Sequence, residues 1–364
     1  MQISDAARES RIFSDRHELV MVAMRRWQRW RLTSCFNGSI LFVLLVSVTG
    51  QTDPTSDSRV RDTIQLGAER QCAEAAQLLK GIDENSQTAA PAFYAVAECY
   101  MKRSEWKKAE PFLDTFLRLS PQDTSGLFLK SYLLFRTSRY EQSLGLISSY
   151  IQQQPNNSDA HKILGMDYYM LGKQEEAELE LKRAIELSAT DPEAFYYLGR
   201  LYFTRNNMPA ALSAFQKAIQ LDSSSVRVQN HLGQALEGLG QYESARKAYL
   251  KAIELDKEQQ AKSRWPYYNL GSLYLKQGQF PEAIDYLRQS LRHNPSWTEG
   301  KLKLARALIS AGDSGGARAL LLEVIATEPQ NATAHYQLAR LLSNLGEKEQ
   351  AAQHYQQFEK LKKQ

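Results

Sequence analysis

The chain has 364 residues, of which 43% are apolar and 24% are charged, and it contains eleven Pro and nineteen Gly. This composition is typical of a folded protein and excludes a fibrous or largely disordered chain. The formal charge is +4, but the first 50 residues hold seven Arg and four acidic residues, so the remainder is nearly neutral and lacks the basic surplus that nucleic-acid binding requires.

Residues 1–50 have the pattern of an export signal. A basic cluster at 25–31 is followed by an apolar stretch at 40–48 and by small residues that allow cleavage near Gly50. The apolar stretch is shorter than the roughly 20 residues that span a bilayer, which favours a cleaved signal over the alternative, an uncleaved membrane anchor. We therefore predict an exported protein, periplasmic or secreted, whose only link to a membrane is this segment. Met24 would be a more conventional start than the first residue.

Two short segments precede the main body of the chain. Residues 51–58 are small and polar, which predicts a flexible tether. The segment 56–89 is predicted to form a degenerate repeat that caps the array described next. Ala75, Leu79 and Ile82 fit the second helix of such a repeat, whereas its first helix is weakly marked.

From residue 90 onward a pattern of small and bulky residues recurs every 34 residues. Gly199 and Tyr202 in one helix and Ala211 and Phe215 in the next are one example. Closely packed helices need small residues where they cross, because backbones cannot approach past large side chains. Eight repeats are predicted over 90–364, and they start at residues 90, 124, 158, 192, 226, 264, 298 and 332.

These registered residues resemble the tetratricopeptide repeat pattern. The resemblance implies an all-α fold, a right-handed superhelical solenoid of antiparallel helix pairs, in which each repeat buries its apolar face against its neighbours. It also implies that the first helices of the repeats line a concave groove that binds peptides or other proteins.

The step between the fifth and sixth repeats is 38 residues instead of 34. The extra residues lie in the polar, helix-favouring segment 256–265, and four residues are about one helical turn. We predict that the second helix of the fifth repeat is one turn longer and that the stack is unbroken there.

Cys72 and Cys99 are the two cysteines outside the predicted signal. In this frame Cys72 opens the second helix of the cap and Cys99 lies late in the following first helix, and adjacent antiparallel helices would bring them together. An even number of cysteines in an oxidising compartment allows a disulfide. The alternative is a pair of small buried residues.

No catalytic or metal-binding motif is visible in the sequence. The histidines beyond residue 90 are scattered, with no pair four residues apart and no His-Glu-x-x-His motif. A phosphate loop and a Gly-x-Ser-x-Gly motif are also missing. The sequence therefore predicts a non-enzymatic protein with no cofactor, no metal and no small-molecule substrate.

The resemblance also implies which side chains face the groove. They lie one or five positions after the first apolar residue of the pattern in each first helix, or about one helical turn further along. The predicted partner-binding residues are Tyr94, Phe128, Tyr132, Phe135, Lys162, Met166, Tyr169, Tyr196, Arg200, Phe203, Asn230, Tyr268, Arg306, Tyr336 and Arg340. The hypothesis is that an apolar part of the partner lies against Phe128, Tyr132 and Phe135. An acidic group or terminal carboxylate would face Arg306 and Arg340. The alternative is that the tyrosines serve packing.

Two functions fit these patterns. The leading interpretation is a scaffold or adaptor that binds segments of partner proteins in the groove. The alternative is a non-catalytic regulatory or carrier subunit of an envelope or secreted enzyme complex. Both predict a protein or peptide partner and exclude nucleic acid.

Overall fold

The computed structural model describes residues 54–363, so the predicted signal sequence at 1–50 lies outside the described residues. Within 54–363 the secondary structure is helical and contains no strand, which confirms the all-α class. The helices are α1 (Pro54–Ala68), α2 (Cys72–Leu79), α3 (Ala90–Lys102), α4 (Trp106–Leu119), α5 (Thr124–Arg136), α6 (Tyr140–Gln153), α7 (Ser158–Met170), α8 (Gln174–Leu187), α9 (Pro192–Thr204), α10 (Met208–Leu221), α11 (Val226–Gly238), α12 (Tyr242–Gln259), α13 (Trp265–Lys276), α14 (Phe280–His293), α15 (Thr298–Ser310), α16 (Ser314–Thr327), α17 (Ala332–Asn344) and α18 (Lys348–Lys362). A short 3₁₀ helix (Gln87–Ala89) leads into α3.

The chain forms two compact units, one of residues up to Leu201 and one from Tyr202 onward. In each unit consecutive helices pack as hairpins, and each hairpin packs on the next. The first helices begin at the predicted repeat starts, except that α13 begins one residue later, at Trp265. The periodic pattern therefore locates the helix boundaries as well as the fold class.

Small residues let the two helices of a hairpin approach. A Cβ added to Gly165 of α7 would lie 2.8 Å from Leu181 Cγ of α8. A Cβ added to Gly271 of α13 would lie 2.8 Å from Leu287 Cγ of α14. Real Cβ atoms do not come this close to a neighbour, so the crossings require glycine or a shift of the partner helix. These contacts are the ones on which the sequence pattern depends.

Polar caps and left-handed turns set the ends of the helices. Asn157 accepts a hydrogen bond from the Ala160 N–H at the start of α7, and Asn331 accepts one from the Ala334 N–H at the start of α17. Such side-chain caps satisfy backbone donors that have no partner in the first turn. Gly240, between α11 and α12, has φ of +73°, a conformation that favours glycine.

The N-terminal end differs in part from the prediction. The flexible tether predicted over 51–58 is wrong for residues 54–58, which form the first turn of α1. Pro54 is favourable at the first helical position because its missing N–H would have no partner there, and Asp57 complements the helix dipole. The capping segment 56–89 contains the helix pair α1–α2, and α2 is short, with 8 residues.

Helix α12 has 18 residues, whereas the second helices α10 and α14 on either side each have 14, so the predicted extra turn is confirmed. It ends at Gln260 in the left-handed conformation, and Asp256 Oδ1 accepts a 2.7 Å hydrogen bond from the Ser263 N–H beyond it. The stack continues across this point, because Asn269 Nδ2 of α13 donates a 2.9 Å hydrogen bond to Asn230 Oδ1 of α11.

A disulfide joins Cys72, at the start of α2, to Cys99, late in α3, and their Cα atoms are 5.6 Å apart. Both cysteines are fully buried. The bridge therefore ties the capping segment covalently to the first full repeat. Among the described helices, none is long and apolar enough to cross a membrane.

Candidate functional site

In the second unit, neighbouring first helices touch through side chains of α11, α13, α15 and α17. Asn269 donates to Asn230, and the Tyr268 hydroxyl donates a 2.8 Å hydrogen bond to Glu299 Oε1. Lys303 Nζ lies 5.5 Å from the centroid of the Tyr268 ring. We call the surface that these four helices share the first-helix surface of the second unit.

An arginine between two tryptophans lies at one edge of this surface. The Arg264 guanidinium is 4.8 Å from the ring centroids of both Trp265 and Trp297, and Tyr268 packs against the two indoles at 6.1 and 4.7 Å. Arg264 Nε and Trp265 Nε1 are buried donors without an acceptor among the described residues. Stacking holds this guanidinium in place without neutralising its charge.

Four cations of this surface, Arg264, Lys303, Arg306 and Arg340, form no ion pair with a described residue. Burial lowers the pKa of Lys303, and Glu299 partly offsets that effect. The Arg306 and Arg340 side chains are exposed.

Some other cations of the same unit do have carboxylate partners. Lys301 Nζ is 2.8 Å from Glu323 Oε1, and Arg318 pairs with Glu347. Glu299 lies close to Lys303, but no described carboxylate forms an ion pair with Arg306 or Arg340, so the first-helix surface of the second unit keeps exposed positive charge at these two arginines.

Tyr336 ends the surface at α17 and is 39% exposed. Its ring packs against Phe358 and Tyr355 of α18, with centroids 5.1 and 6.3 Å away, and the Arg340 guanidinium lies 5.8 Å from it. The predicted residues Asn230, Tyr268, Arg306, Tyr336 and Arg340 thus share one surface, although Asn230 and Tyr268 are largely buried in it.

In the first unit the first-helix surface has an aromatic cluster around Tyr132. Tyr132 packs edge-on against Trp106, and Arg136 lies 4.8 Å from the Trp106 ring and donates a 3.0 Å hydrogen bond to the Tyr132 hydroxyl. Phe128 is half-buried against Tyr150.

Four uncharged residues among the predicted groove residues of the first unit are buried. Phe135 packs against Tyr140, and Met166 is 2% exposed. Tyr169 and Tyr196 are also buried, so the packing interpretation of the tyrosines describes them better than the groove interpretation. Phe135 is therefore unsuited to direct contact with a partner.

Arg200 is buried among aromatic rings, with its guanidinium 4.9 Å from the Tyr169 ring centroid. Tyr94 is half-buried against Phe116, and Phe203 is half-buried in α9. These positions contribute mainly to contacts inside the protein.

Lys162, predicted to face the partner, is instead held by three carboxylates. Its Nζ lies 2.8 Å from Asp159, 2.9 Å from Asp191 and 3.5 Å from Glu193. Burial disfavours its charge, but the three carboxylates outweigh burial and raise the pKa of Lys162 well above its ordinary value. Lys162 therefore offers little net attraction to an acidic partner.

Asp167 of α7 is a buried carboxyl group without a partner. It is 0% exposed, and neither oxygen has a hydrogen-bond partner among the described residues. The nearby Ser143 hydroxyl donates to the Ser131 carbonyl oxygen. Burial raises the pKa of Asp167 to about 8, and the charge of Glu141 adds to this effect. Asp167 is thus largely protonated at neutral pH.

The sequence-based prediction missed Arg264, Trp265 and Trp297. A signal existed, because Trp265 opens α13 and Trp297 immediately precedes α15, so the two tryptophans stand at the starts of successive first helices. Within residues 54–363 no group of three or more His, Cys, Asp or Glu side chains could hold a metal ion.

Family models described as tetratricopeptide repeat or TPR repeat match the chain in several places. The matched residues are 92–127, 165–204, 199–240, 224–296, 274–328 and 302–363. Together they account for most of the helical array.

Individual relatives share parts of this chain. BBSome complex member BBS4 of Mus musculus is 33% identical over 93 residues, which are 26% of this chain and 18% of that protein. The solved structure of pilF from Pseudomonas aeruginosa is 26% identical, covers 56% of this chain and 91% of its own, and has a TM-score of 0.50. PilW, described as a widely conserved type IV pilus biogenesis factor, is 22% identical with a TM-score of 0.51 over 55% of this chain and 91% of its own. The likeness to PilW is one of fold.

Proposed function

Because the chain belongs to the tetratricopeptide repeat family, we propose that it is a non-catalytic scaffold that binds segments of partner proteins on its first-helix surfaces. The observation that carries this proposal is the set of four cations without ion pairs beside exposed and half-buried aromatic rings in the second unit. Aromatic residues and arginine are the types enriched where protein interfaces gain most of their binding energy.

The charge of the second unit favours an acidic segment or a terminal carboxylate. Arg306 and Arg340 are exposed, so their planar guanidinium groups are free to donate paired hydrogen bonds to a carboxylate. Arg264, fixed between two indoles, would lose little side-chain entropy on binding. A charged hydrogen bond contributes about 1.5–3 kcal/mol, so two arginines would account for a large share of a micromolar affinity.

The aromatic surface of the first unit favours an apolar segment. Three aromatic side chains there are half-buried: Tyr132, which packs on Trp106, Trp106 itself, and Phe128, which packs on Tyr150. Phe135, by contrast, is buried. We therefore assign the apolar contact to Phe128 and Tyr132 alone. Each unit would bind its own part of a partner.

The pattern at 1–50 supports export to the periplasm or beyond, and the disulfide between Cys72 and Cys99 is consistent with an oxidising compartment. Within that compartment a regulatory or carrier subunit of an enzyme complex is the second candidate. An enzyme among the captured partners would favour it over a structural scaffold.

Site-specific photocrosslinking tests the location. A photoreactive amino acid placed at the exposed Tyr336 should crosslink to a protein in an envelope extract of the native host. The same group at Arg288, exposed on the second helix α14, should not. Crosslinks from Arg288 alone would reject the first-helix surface.

Charge removal tests the partner class. The double variant Arg306→Gln/Arg340→Gln should weaken capture of the crosslinked partner by about a hundredfold or more, as expected from the loss of about 1.5 kcal/mol or more for each of the two charged contacts. The matched control Arg288→Gln/Arg292→Gln removes the same charge from exposed positions of α14 and should bind as the unmodified chain does. Equal capture by both variants would contradict an acidic segment.

A further inference from the structure

The last hairpin contains a direct contact between two imidazoles. His335 Nδ1 of α17 lies 2.9 Å from His354 Nδ1 of α18, and the ring centroids are 5.2 Å apart. With the centroids 5.2 Å apart and the nitrogens 2.9 Å apart, both Nδ1 atoms must lie close to the line that joins the ring centroids. The two Nδ1 atoms therefore point at each other. One proton between them makes a hydrogen bond, whereas a metal ion would need the two lone pairs to converge on a third point.

The contact of the other ring nitrogen of His335, Nε2, shows which imidazole carries that proton. His335 Nε2 is 3.0 Å from the Pro329 carbonyl oxygen, which can only accept, so Nε2 carries a proton. Neutral His335 therefore accepts at Nδ1, and His354 Nδ1–H donates. When only one ring is charged the hydrogen bond remains, because Nδ1 of the neutral ring can still accept the proton of the other ring. When both rings are charged, two Nδ1–H groups face each other and the hydrogen bond is lost.

The third repeat has the same arrangement with a different partner. His161 Nε2 is 2.9 Å from the Pro155 carbonyl oxygen, and His161 Nδ1 is 2.5 Å from Glu180 Oε2 of α8. Both partners of His161 are oxygen acceptors, so a proton must lie between His161 Nδ1 and Glu180, and the carboxylate there favours a charged imidazole. In the last repeat, by contrast, an imidazole stands where the third repeat has a carboxylate, so the contact is broken once acid charges both rings.

Neighbouring elements provide no carboxylate to compensate a second charge. Glu323 of α16 is paired with Lys301 of α15, and Glu328, ahead of α17, accepts hydrogen bonds from Thr298 and Asn331. Glu347, at the start of α18, pairs with Arg318 of α16. Burial and then the charge of His335 lower the pKa of His354. The docked hairpin thus favours the neutral form of His354. The free energy that holds α18 against α17 therefore decreases as the pH falls below the ordinary histidine pKa of about 6.5.

Helix α18 depends on few other buried contacts. Its one buried residue is Ala351, whereas α14 buries Ala283, Leu287 and Ser290. Tyr355 and Phe358 of α18 also support Tyr336 on the first-helix surface. Loss of the imidazole contact would therefore affect both the docking of α18 and the position of Tyr336.

We propose that the His335–His354 contact is an acid-sensitive latch that holds α18 against α17 and so maintains the Tyr336 end of the first-helix surface. The latch rests on the geometry of the hairpin and does not depend on which partner the surface binds.

Hydrogen exchange of the full chain tests the latch. Exchange of α18 peptides, corrected for the intrinsic effect of pH, should rise about tenfold between about pH 7.5 and about pH 5.5, while α14 peptides of the same unit change little. Equal changes in α14 and α18, or no change in α18, would overturn the proposal.

A variant copied from the third repeat separates the latch from general acid sensitivity. His354→Glu replaces the second imidazole with the carboxylate that His161 has, so the acid-induced rise in α18 exchange should disappear. The control His161→Gln changes the equivalent histidine in the first unit and should leave the α18 response intact. An unchanged acid response in His354→Glu would refute the latch.

Discussion

Replacing Asp167 with asparagine should remove a large pH dependence from the stability of the first unit. The pKa of Asp167 is raised by burial from 3.8 to about 8. Between these two values the folded chain keeps a proton that the unfolded chain has released. The free energy of unfolding therefore decreases as the pH rises from about 4 to about 8, and it levels off above that.

The magnitude follows from the size of the change in pKa. One pKa unit corresponds to about 1.4 kcal/mol, so ionisation lowers the free energy of unfolding by about 4 kcal/mol at pH 7 relative to acid conditions. Asp167→Asn has nearly the same shape but cannot ionise. Its buried amide would cost about 1–3 kcal/mol at every pH, without a slope.

Urea unfolding followed by helical circular dichroism at about pH 5, 7 and 8.5 measures the slope, and hydrogen exchange of α6 and α7 assigns it to the first unit. The control Asp62→Asn removes an exposed carboxylate of α1. If the variant Asp167→Asn follows the same pH profile as the unmodified chain, the burial argument is wrong.

Three further predictions concern packing, the disulfide and a charged pair. Gly271→Val should destabilise the second unit by about 1–3 kcal/mol in urea unfolding because the added atoms meet backbone as well as side chain, whereas Gly145→Val, with nothing within 4 Å of the added Cβ, should have little effect. Cys72→Ser/Cys99→Ser opens a loop with a sequence separation of 27 and should cost the capping segment about 3–4 kcal/mol; unaltered exchange of α1 and α2 would contradict this. Arginine and lysine contacts lower the pKa of Glu110 to about 2, so Glu110→Gln should lower the unfolding midpoint at pH 7 by an amount that shrinks as the pH falls through about 4 towards 2, and a pH-independent loss would point to packing instead.

The periodic positions could be predicted because they depend on contacts that recur. Gly165 and Gly271 lie where two helices cross closely, and a small residue, Gly, Ala or Ser, recurs at the same position of every repeat. The extra turn of α12 followed from counting, since four additional residues keep the same helix face towards the neighbours. These features are local or involve one adjacent repeat.

The contacts and exposure of individual polar side chains could not be predicted from the sequence in the same way. Lys162 was predicted to face a partner, but Asp191, just ahead of α9, and Glu193 of α9 reach it, and the spacing of the sequence does not show which cations they neutralise. Arg264 was missed because its two stacking partners lie 32 residues apart, at the starts of successive first helices. Which cations remain without an ion pair is a property of the assembled surface.

The additional turn of α12 has a consequence for how a long partner aligns. A surface with strict 34-residue periodicity would let an extended chain slide by one whole repeat and find nearly the same environment again. The 38-residue step, followed at once by Arg264 and Trp265, breaks that translational equivalence. An extended segment bound to the second unit would therefore have one favourable alignment along the first helices.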